Sequence, residues 1–228
     1  MPDRATRLYL APLRIDVTVR EGVPQVVSLA RLGRAIRGAA LAAGAPTPAT
    51  VGLVLTDDAE LAGLNRRHMG KRGPTDVLSF PFLPPESFRG PSAADRPPAR
   101  DARRSIGPRA QPREAGPFRL PPGVRISLGD VAVSVERAIA QAVEGRGGQD
   151  SQTVWDARDE LLLLVIHGTL HLCGWDHAEP AEAEAMRALE WTVFESVDVT
   201  ENKVLLDSLR RSRQEAREGR KVRLRDHA

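Results

Sequence analysis

Three of the chain's five histidines lie within eleven consecutive positions, in the segment HGTLHLCGWDH. His167 and His171 are four residues apart, which on an α-helix places them about 40° apart on one face. Gly174 then allows the chain to reverse and bring His177 to the same point. Three imidazoles at this spacing predict one bound metal ion, with zinc favoured and the fourth coordination position left open for water or substrate.

A closed, structural zinc site would need a fourth ligand, and Cys173 and Asp176 are the nearby candidates. Cys173, the only cysteine, lies two positions from His171 on the opposite side of the predicted helix, which argues against it. Nickel, copper or iron can also occupy a three-imidazole site. Lone histidines such as His68 and His227 are read instead as ordinary surface or core residues.

A metal ion held in this way lowers the pKa of a bound water towards 7 and polarises a carbonyl or phosphoryl oxygen, so hydrolysis is the expected reaction class. In zinc peptidases of the HExxH type a glutamate follows the first histidine and serves as general base. Here that position is Gly168, and Glu160 is two helical turns away. The proton-transfer group of a peptidase is therefore missing.

The elements that position these histidines predict an α+β fold: a single small domain in which one mixed sheet of about four strands is covered by about five helices. The three-histidine site is expected at the end of a buried central helix, because the run before it is almost wholly apolar. Predicted strands cover 8–19, 50–55, 76–82 and 125–133, and predicted helices cover 29–43, 57–70, 134–144, 152–172 and 180–197.

Two peripheral segments carry most of the positive charge. Residues 84–122 hold ten of the eighteen prolines and are interpreted as a disordered insertion in a domain spanning 1–200, and residues 201–228 form an arginine-rich tail that is disordered or partly helical. Residues 84–122 and 203–228 together carry about +9, so the remainder is mildly acidic. They are either electrostatic attachments to RNA or solvated linkers. The N-terminus lacks a signal-peptide pattern and no apolar run can span a bilayer, so we expect a cytoplasmic protein without a membrane partner.

Three blocks stand in the order found in one family: NRRHMGKRGPTDVLSFPF at 65–82, LGD at 128–130, and HGTLHLCGWDH at 167–177. On these blocks the chain resembles the YbeY family of bacterial rRNA maturation factors, which are metal-dependent endoribonucleases. The resemblance covers roughly residues 8–197. The histidine block is highly specific, whereas LGD alone would be weak.

The resemblance implies one Zn²⁺ ion on His167, His171 and His177, which are thereby the metal-binding and catalytic residues. It also implies cleavage of single-stranded RNA in maturing the 3′ end of small-subunit ribosomal RNA, a role in ribosome quality control, partners in the small ribosomal subunit or its proteins, and no DNA substrate. Thr75, Asp76 and Ser79 fall on the strand that lines the family's cleft, although Asp76 and Ser79 fit a strand-start cap and an exposed strand position equally well.

One departure from the family pattern concerns a phosphate-binding cation. Counting back from Pro74, the family's functional arginine should lie at Met69, which carries no charge. A cation near this point would stabilise a phosphate and its transition state. The substrate-binding candidates are therefore Arg66, Arg67, Lys71, Arg72, Thr75 and Ser79, and the four cations fit a solvated helix end equally well.

Two alternatives to an endoribonuclease stay open at this point. The first is a zinc peptidase or other metallohydrolase, and the second is a ribosome assembly factor whose metal is mainly structural. Near the third histidine, Trp175 is expected to pack under the turn rather than stack on a base. Asp176 either orients a ligand histidine or shapes the turn.

Overall fold

Alternating apolar residues build one mixed sheet. The computed structural model describes residues 2–88, 124–144 and 155–198. In the second strand Leu13, Ile15, Val17 and Val19 are buried, and the residues between them are half-buried. Five strands form the sheet in the order β1-β2-β3-β5-β4. They are β1 (Arg4–Leu10), β2 (Leu13–Val19), β3 (Ala49–Thr56), β4 (Val77–Pro81) and β5 (Ile126–Ser134).

The inner strands β2, β3 and β5 run parallel, and the two edge strands β1 and β4 are antiparallel to their neighbours. This confirms the predicted α+β class with a single mixed sheet. The strand count is five rather than about four, because the predicted strand at 8–19 is a hairpin that turns at Ala11 and Pro12. Pro12 has no N–H to donate to a ladder, which interrupts the strand at this point.

Within the described residues, five α-helices accompany the sheet, as predicted. They are α1 (Leu29–Ala42), α2 (Asp58–Leu64), α3 (Val135–Glu144), α4 (Ala157–Leu172) and α5 (Pro180–Asp198). Ser28 and Asp57 cap α1 and α2 by accepting a backbone N–H three residues ahead. The helix predicted at 57–70 has the expected extent, but its second half is a π-helical turn at Asn65–Met69, which follows α2 and stops at Gly70.

The two faces of the sheet are covered unequally. One face carries the main core, where α4 packs on β4 and β5 and between α1, α3 and α5. On the other face, α2 places Leu61 against Leu78 and Ala132 in a smaller cluster. The helix that carries two of the predicted ligands is therefore also the one most enclosed by the core.

The predicted insertion begins with ordered residues. Pro85–Ser87 form a short 3₁₀ turn, and the side chain of Phe88 is 1% exposed within the main core. The rest of the insertion and the predicted tail lie outside the described residues. Among the described helices, none is long and apolar enough to cross a membrane.

Candidate metal centre

Helix α4 is held at both ends, which determines where its histidines lie. At its start Asp156 and Asp159 form a capping box, each side chain accepting the other residue's backbone N–H. At its end Gly174 has φ 80°, and its N–H donates to the carbonyl of His171. The N–H of Trp175 donates to the carbonyl of Leu170, which completes a Schellman motif. The chain is thereby reversed and directed back towards the helix.

This reversal brings His177 to the two helical histidines. One ring nitrogen from each of His167, His171 and His177 lies within 4.8 Å of the others. The Nε2 atoms of His167 and His171 are 3.0 Å apart. Imidazole nitrogens around one tetrahedral zinc ion are separated by roughly 3.3 Å, given zinc–nitrogen bonds of about 2.05 Å. The predicted residues therefore converge at a spacing suited to one ion.

The second nitrogen of each helical histidine is already engaged. His171 Nδ1 lies 2.8 Å from the carbonyl oxygen of Trp175, which can only accept, so this nitrogen carries the proton. His167 Nδ1 lies 2.6 Å from a carboxylate oxygen of Glu190, which is 8% exposed. When both rings are neutral and carry their proton on Nδ1, the two Nε2 atoms are unprotonated and their lone pairs face each other. Such a pair is unfavourable without a cation between the two atoms, so the donor set fits a metal ion.

The electrostatics of the site favour a neutral His171. Burial lowers the pKa of His171 to about 4, and the neighbouring His167 acts in the same direction. The imidazole of His171 is thus uncharged at neutral pH, the form that binds metal. His177 is exposed, whereas His167 and His171 are half-buried, so the site opens to solvent on the side of His177.

Gly168 is required by packing. A Cβ atom at this position would lie 2.7 Å from Val131 Cγ1 and 2.7 Å from Val77 Cγ2, because α4 presses directly on β4 and β5. Ser79 strengthens the same contact by donating its hydroxyl to the Gly168 carbonyl at 2.7 Å. A glutamate side chain therefore has no room at the position where zinc peptidases of the HExxH type carry their general base.

Residues 25–198 match the family described as Endoribonuclease YbeY. The chain belongs to the YbeY endoribonuclease family. A relative of that name from Chloroflexus aurantiacus is 36% identical over 177 residues, 77% of this chain and 90% of the relative. One from Roseiflexus sp. (strain RS-1) is 33% identical over 154 residues, 67% of this chain and 73% of the relative. One from Roseiflexus castenholzii is 30% identical over 185 residues, 81% of this chain and 92% of the relative.

The LGD block, which supported the YbeY resemblance, has a packing role. Gly129 has φ 129°, and a Cβ atom there would lie 2.1 Å from the Phe80 carbonyl oxygen. Asp130 lies over Gly52, whose missing side chain leaves room for its carboxylate. Burial raises the pKa of Asp130. The block thus lets β5 approach both of its neighbours closely.

The candidates on the YbeY strand block lie at and before β4. Thr75 is half-buried and its hydroxyl contacts Asp76. Asp76 accepts the N–H of Val77 at 2.9 Å and the side-chain amide of Gln141 at 3.2 Å, which fits the strand-start cap. Ser79 lies beside Gly168 and hence next to the first ligand histidine. A role for Thr75 or Ser79 in substrate binding stays a prediction.

The four candidate cations lie on the surface after α2. The side chains of Arg66, Arg67, Lys71 and Arg72 are exposed, and so is Met69, where the resemblance predicts an arginine, at 47%. Arg67 donates to the carbonyl of Gly63 at 3.3 Å. Within the described ranges, none of the four forms an ion pair or contacts a ligand histidine.

Glu190 is the site residue that sequence reasoning missed. It lies on α5, four residues from both buried Met186 and buried Phe194. A carboxylate on the apolar face of an amphipathic helix is the signal that could have found it, because buried acids need a partner.

The remaining expectations near the histidines agree with the structure. Cys173 is buried, and its sulfur does not belong to the cluster formed by the three histidine nitrogens. Trp175 is 5% exposed and packs under the turn. Asp176 accepts the N–H of His177 at 2.7 Å, so it shapes the turn. Glu160 is fully buried and accepts the indole N–H of Trp155 at 2.7 Å, which is a structural contact rather than a proton-transfer role.

Proposed function

We propose that this protein is a metal-dependent endoribonuclease that cuts single-stranded RNA, with one Zn²⁺ ion held by His167, His171 and His177. The observation that carries the proposal is the convergence of the three imidazoles, two with their second nitrogen already occupied. The relatives named Endoribonuclease YbeY supply the substrate class. The ion would lower the pKa of a water and polarise a phosphoryl oxygen when bound.

The chain's own residues orient and shape the site. Glu190 and the Trp175 carbonyl fix the ring orientation of the two helical histidines, so that their Nε2 atoms point to one centre. The neutral state of His171 keeps its lone pair available. The exposed position of His177 leaves the open side accessible to an extended RNA strand. Gly168 excludes the glutamate that peptide hydrolysis by an HExxH site would use.

The direct test compares substrates before and after metal removal. Purified protein is incubated with end-labelled single-stranded RNA, duplex RNA and casein, then treated with a chelator and reloaded with Zn²⁺. We expect cleavage of single-stranded RNA that is lost on chelation and restored by zinc. Cleavage of casein with intact RNA would establish the peptidase alternative instead.

Two ligand variants separate catalysis from folding. His171→Ala removes a half-buried ligand, and His177→Ala removes an exposed one whose loss disturbs the core least. Both are expected to lose bound zinc, measured by metal analysis, and RNA cleavage by at least about a hundredfold, while circular dichroism stays native for His177→Ala. Full RNA cleavage by a metal-free His177→Ala protein would refute a catalytic metal.

The cellular substrate we propose is the 3′ end of small-subunit ribosomal RNA, with the small subunit or its proteins as partners and a further role in ribosome quality control in the cytoplasm. This assignment rests on the YbeY resemblance of the three sequence blocks. A strain lacking the protein should accumulate small-subunit RNA with unprocessed 3′ ends. Normal 3′ ends in that strain would rule out this substrate.

The second candidate is an assembly factor whose metal is mainly structural, and Met69 is the residue that favours it. Where the family carries an arginine, this chain exposes an uncharged side chain. Complementation distinguishes the two functions. If His171→Ala binds ribosomes and restores rRNA processing in the deletion strain, the protein acts as an assembly factor. Binding without processing supports the endoribonuclease.

We also propose that the insertion and the tail attach the protein to RNA electrostatically, since residues 84–122 and 203–228 carry about +9 together. Deleting both segments should flatten the salt dependence of RNA binding. An unchanged salt dependence would identify them as solvated linkers.

A further inference from the structure

Residues 66–73, which we call the basic loop, form a cationic surface without acids. The segment reads RRHMGKRG, with four cations and no carboxylate. Every residue from Arg66 to Gly73 is exposed. Elsewhere, arginines such as Arg20 and Arg137 pair with carboxylates at 2.6 and 2.8 Å. Within the described ranges, the basic loop thus has positive charge that no acid neutralises, which suits a polyanionic partner.

The basic loop is held in place at both of its ends. Asn65 is 6% exposed, and its side-chain amide donates to the carbonyl of Gly73 at 3.1 Å. The chain reverses at Gly70, which has φ 66° in the left-handed region. A buried side chain that bridges the two ends limits how far the loop can move. The cations are therefore presented on a defined surface.

Aromatic rings lie next to these cations. The exposed ring of His68 contacts Phe80 of β4 edge-on, with centroids 5.2 Å apart and planes at 76°. Phe80 belongs to the smaller cluster under α2, so it faces away from α4. Phe82 follows two residues later along the same edge and is 60% exposed. Exposed aromatic side chains together with unneutralised cations are the combination that single-stranded nucleic acids bind. Here the basic loop reaches β4 through the contact of His68 with Phe80, and Phe82 is the exposed aromatic that follows on the same edge.

Strand β4 connects this surface to the three-histidine site. It is the edge strand of the sheet, and its other side contacts α4 through the hydrogen bond from Ser79 to Gly168. Gly168 is adjacent in sequence to the ligand His167. A strand of RNA that follows this edge would meet the aromatic rings and the cations on one side of β4 and the histidines on the other.

We infer that Phe82 and His68 form a base-stacking platform for single-stranded RNA, and that the basic loop contacts the phosphates of the stacked nucleotides. This inference rests on the proposed endoribonuclease function and adds the surface that selects unpaired substrate. Bases in a duplex are stacked on each other and cannot reach an aromatic side chain, whereas unpaired bases can. The platform compensates for the uncharged side chain of Met69. It binds the RNA strand beside the site instead of the phosphate that is cleaved.

The test separates stacking from phosphate contact. Binding of the full-length, zinc-loaded protein is measured by fluorescence anisotropy with a labelled phosphorothioate oligoribonucleotide, chosen to resist cleavage, and with an abasic strand of the same length. Phe82→Ala should weaken binding of the base-containing strand by about 5- to 100-fold and leave the abasic strand unaffected. Phe82→Leu, which keeps an apolar side chain, should behave like alanine. Phe82→Trp should preserve binding.

Three results would overturn the platform. The first is unchanged binding of the base-containing strand by Phe82→Ala while the wild-type protein binds and cuts RNA. The second is an equal loss for both strands, which would show that Phe82 only supports the fold. The third is a wild-type protein that neither binds nor cuts RNA, and this result alone also removes the proposed function. In the first two cases the proposed function stands.

Discussion

The three-histidine site and the basic loop lie on either side of β4 and are built in opposite ways. In the three-histidine site, two half-buried histidines each have a hydrogen-bond partner. The missing side chain of Gly168 lets α4 pack directly against the sheet. In the basic loop, four exposed cations have no acidic partner among the described residues. A metal site needs fixed geometry, because a ligand moved by a fraction of an ångström no longer reaches the ion. Phosphate binding tolerates adjustment, because long side chains can follow a flexible strand.

The largest effect should come from the basic loop's charge. Replacing Arg66, Arg67, Lys71 and Arg72 together by glutamine should weaken single-stranded RNA binding by about a hundredfold or more at low salt. The slope of log affinity against log salt should flatten by roughly 3, since each phosphate contact to a single strand contributes about 0.7. Fluorescence titrations over a salt series measure both quantities.

A control variant replaces two exposed arginines outside the basic loop, Arg34 and Arg187, by glutamine. It should leave the salt slope nearly unchanged. Zinc content should equal that of the wild-type protein in all of these variants. A basic-loop variant with lowered zinc content would show that the two regions are not separate.

Glu190 should influence the metal without touching it. Glu190→Gln preserves the size of the side chain but removes the charge that orients the proton of His167 Nδ1, so zinc affinity should fall by about 10- to 100-fold. Competition with a chromophoric chelator measures the affinity, and the visible spectrum of the cobalt-loaded protein reports the ligand geometry. Glu184→Gln on the exposed face of α5 is the control. Equal affinities for the two variants would contradict a positioning role.

Gly168→Ala tests how tightly the three-histidine site is packed. The added methyl group would meet Val131 and Val77 at 2.7 Å, so the variant should lose about 1–3 kcal/mol of unfolding free energy. Urea denaturation measures the loss. Gly63→Ala is the matched control, because nothing lies within 4 Å of its added methyl group in α2. That variant should be neutral or more stable, since alanine favours helix.

The smallest effect concerns pH at the start of α4. Burial raises the pKa of Asp159 to about 6, so the folded protein holds this proton more tightly than the unfolded chain. Asp159 therefore costs stability as the pH rises from about 4 to 6, by roughly 3 kcal/mol for the full shift and by less once solvent screening is included. Asp159→Asn should remove this contribution from the dependence of the unfolding free energy on pH. Urea denaturation of the chelated protein at a series of pH values measures that dependence. Parallel slopes for the two proteins would show that Asp159 does not titrate in this range.

Sequence reasoning was most successful where a local pattern has one physical meaning. The spacing of His167 and His171 on a helix followed by Gly174 predicted a convergent site, and the structure brings these residues and His177 together. The α+β class and the five helices were also predictable, because the apolar periodicities of strands and helices differ. The hairpin at Pro12 was missed because β1 and β2 alternate in a similar way, although the proline was a signal that the strand is interrupted.

What the sequence alone determined is the family and the set of histidines that could hold a metal ion, because both depend on residues close together in the chain. The tertiary structure decided the partners of those histidines. Glu190 lies 23 residues from His167 on another helix, and only the packing of α5 against α4 brings its carboxylate to Nδ1. The same holds for Gly168, which has no room for a side chain because Val77 and Val131 lie against it on two strands remote in sequence. Such contacts between distant segments depend on how helices and strands pack, which local periodicity does not specify.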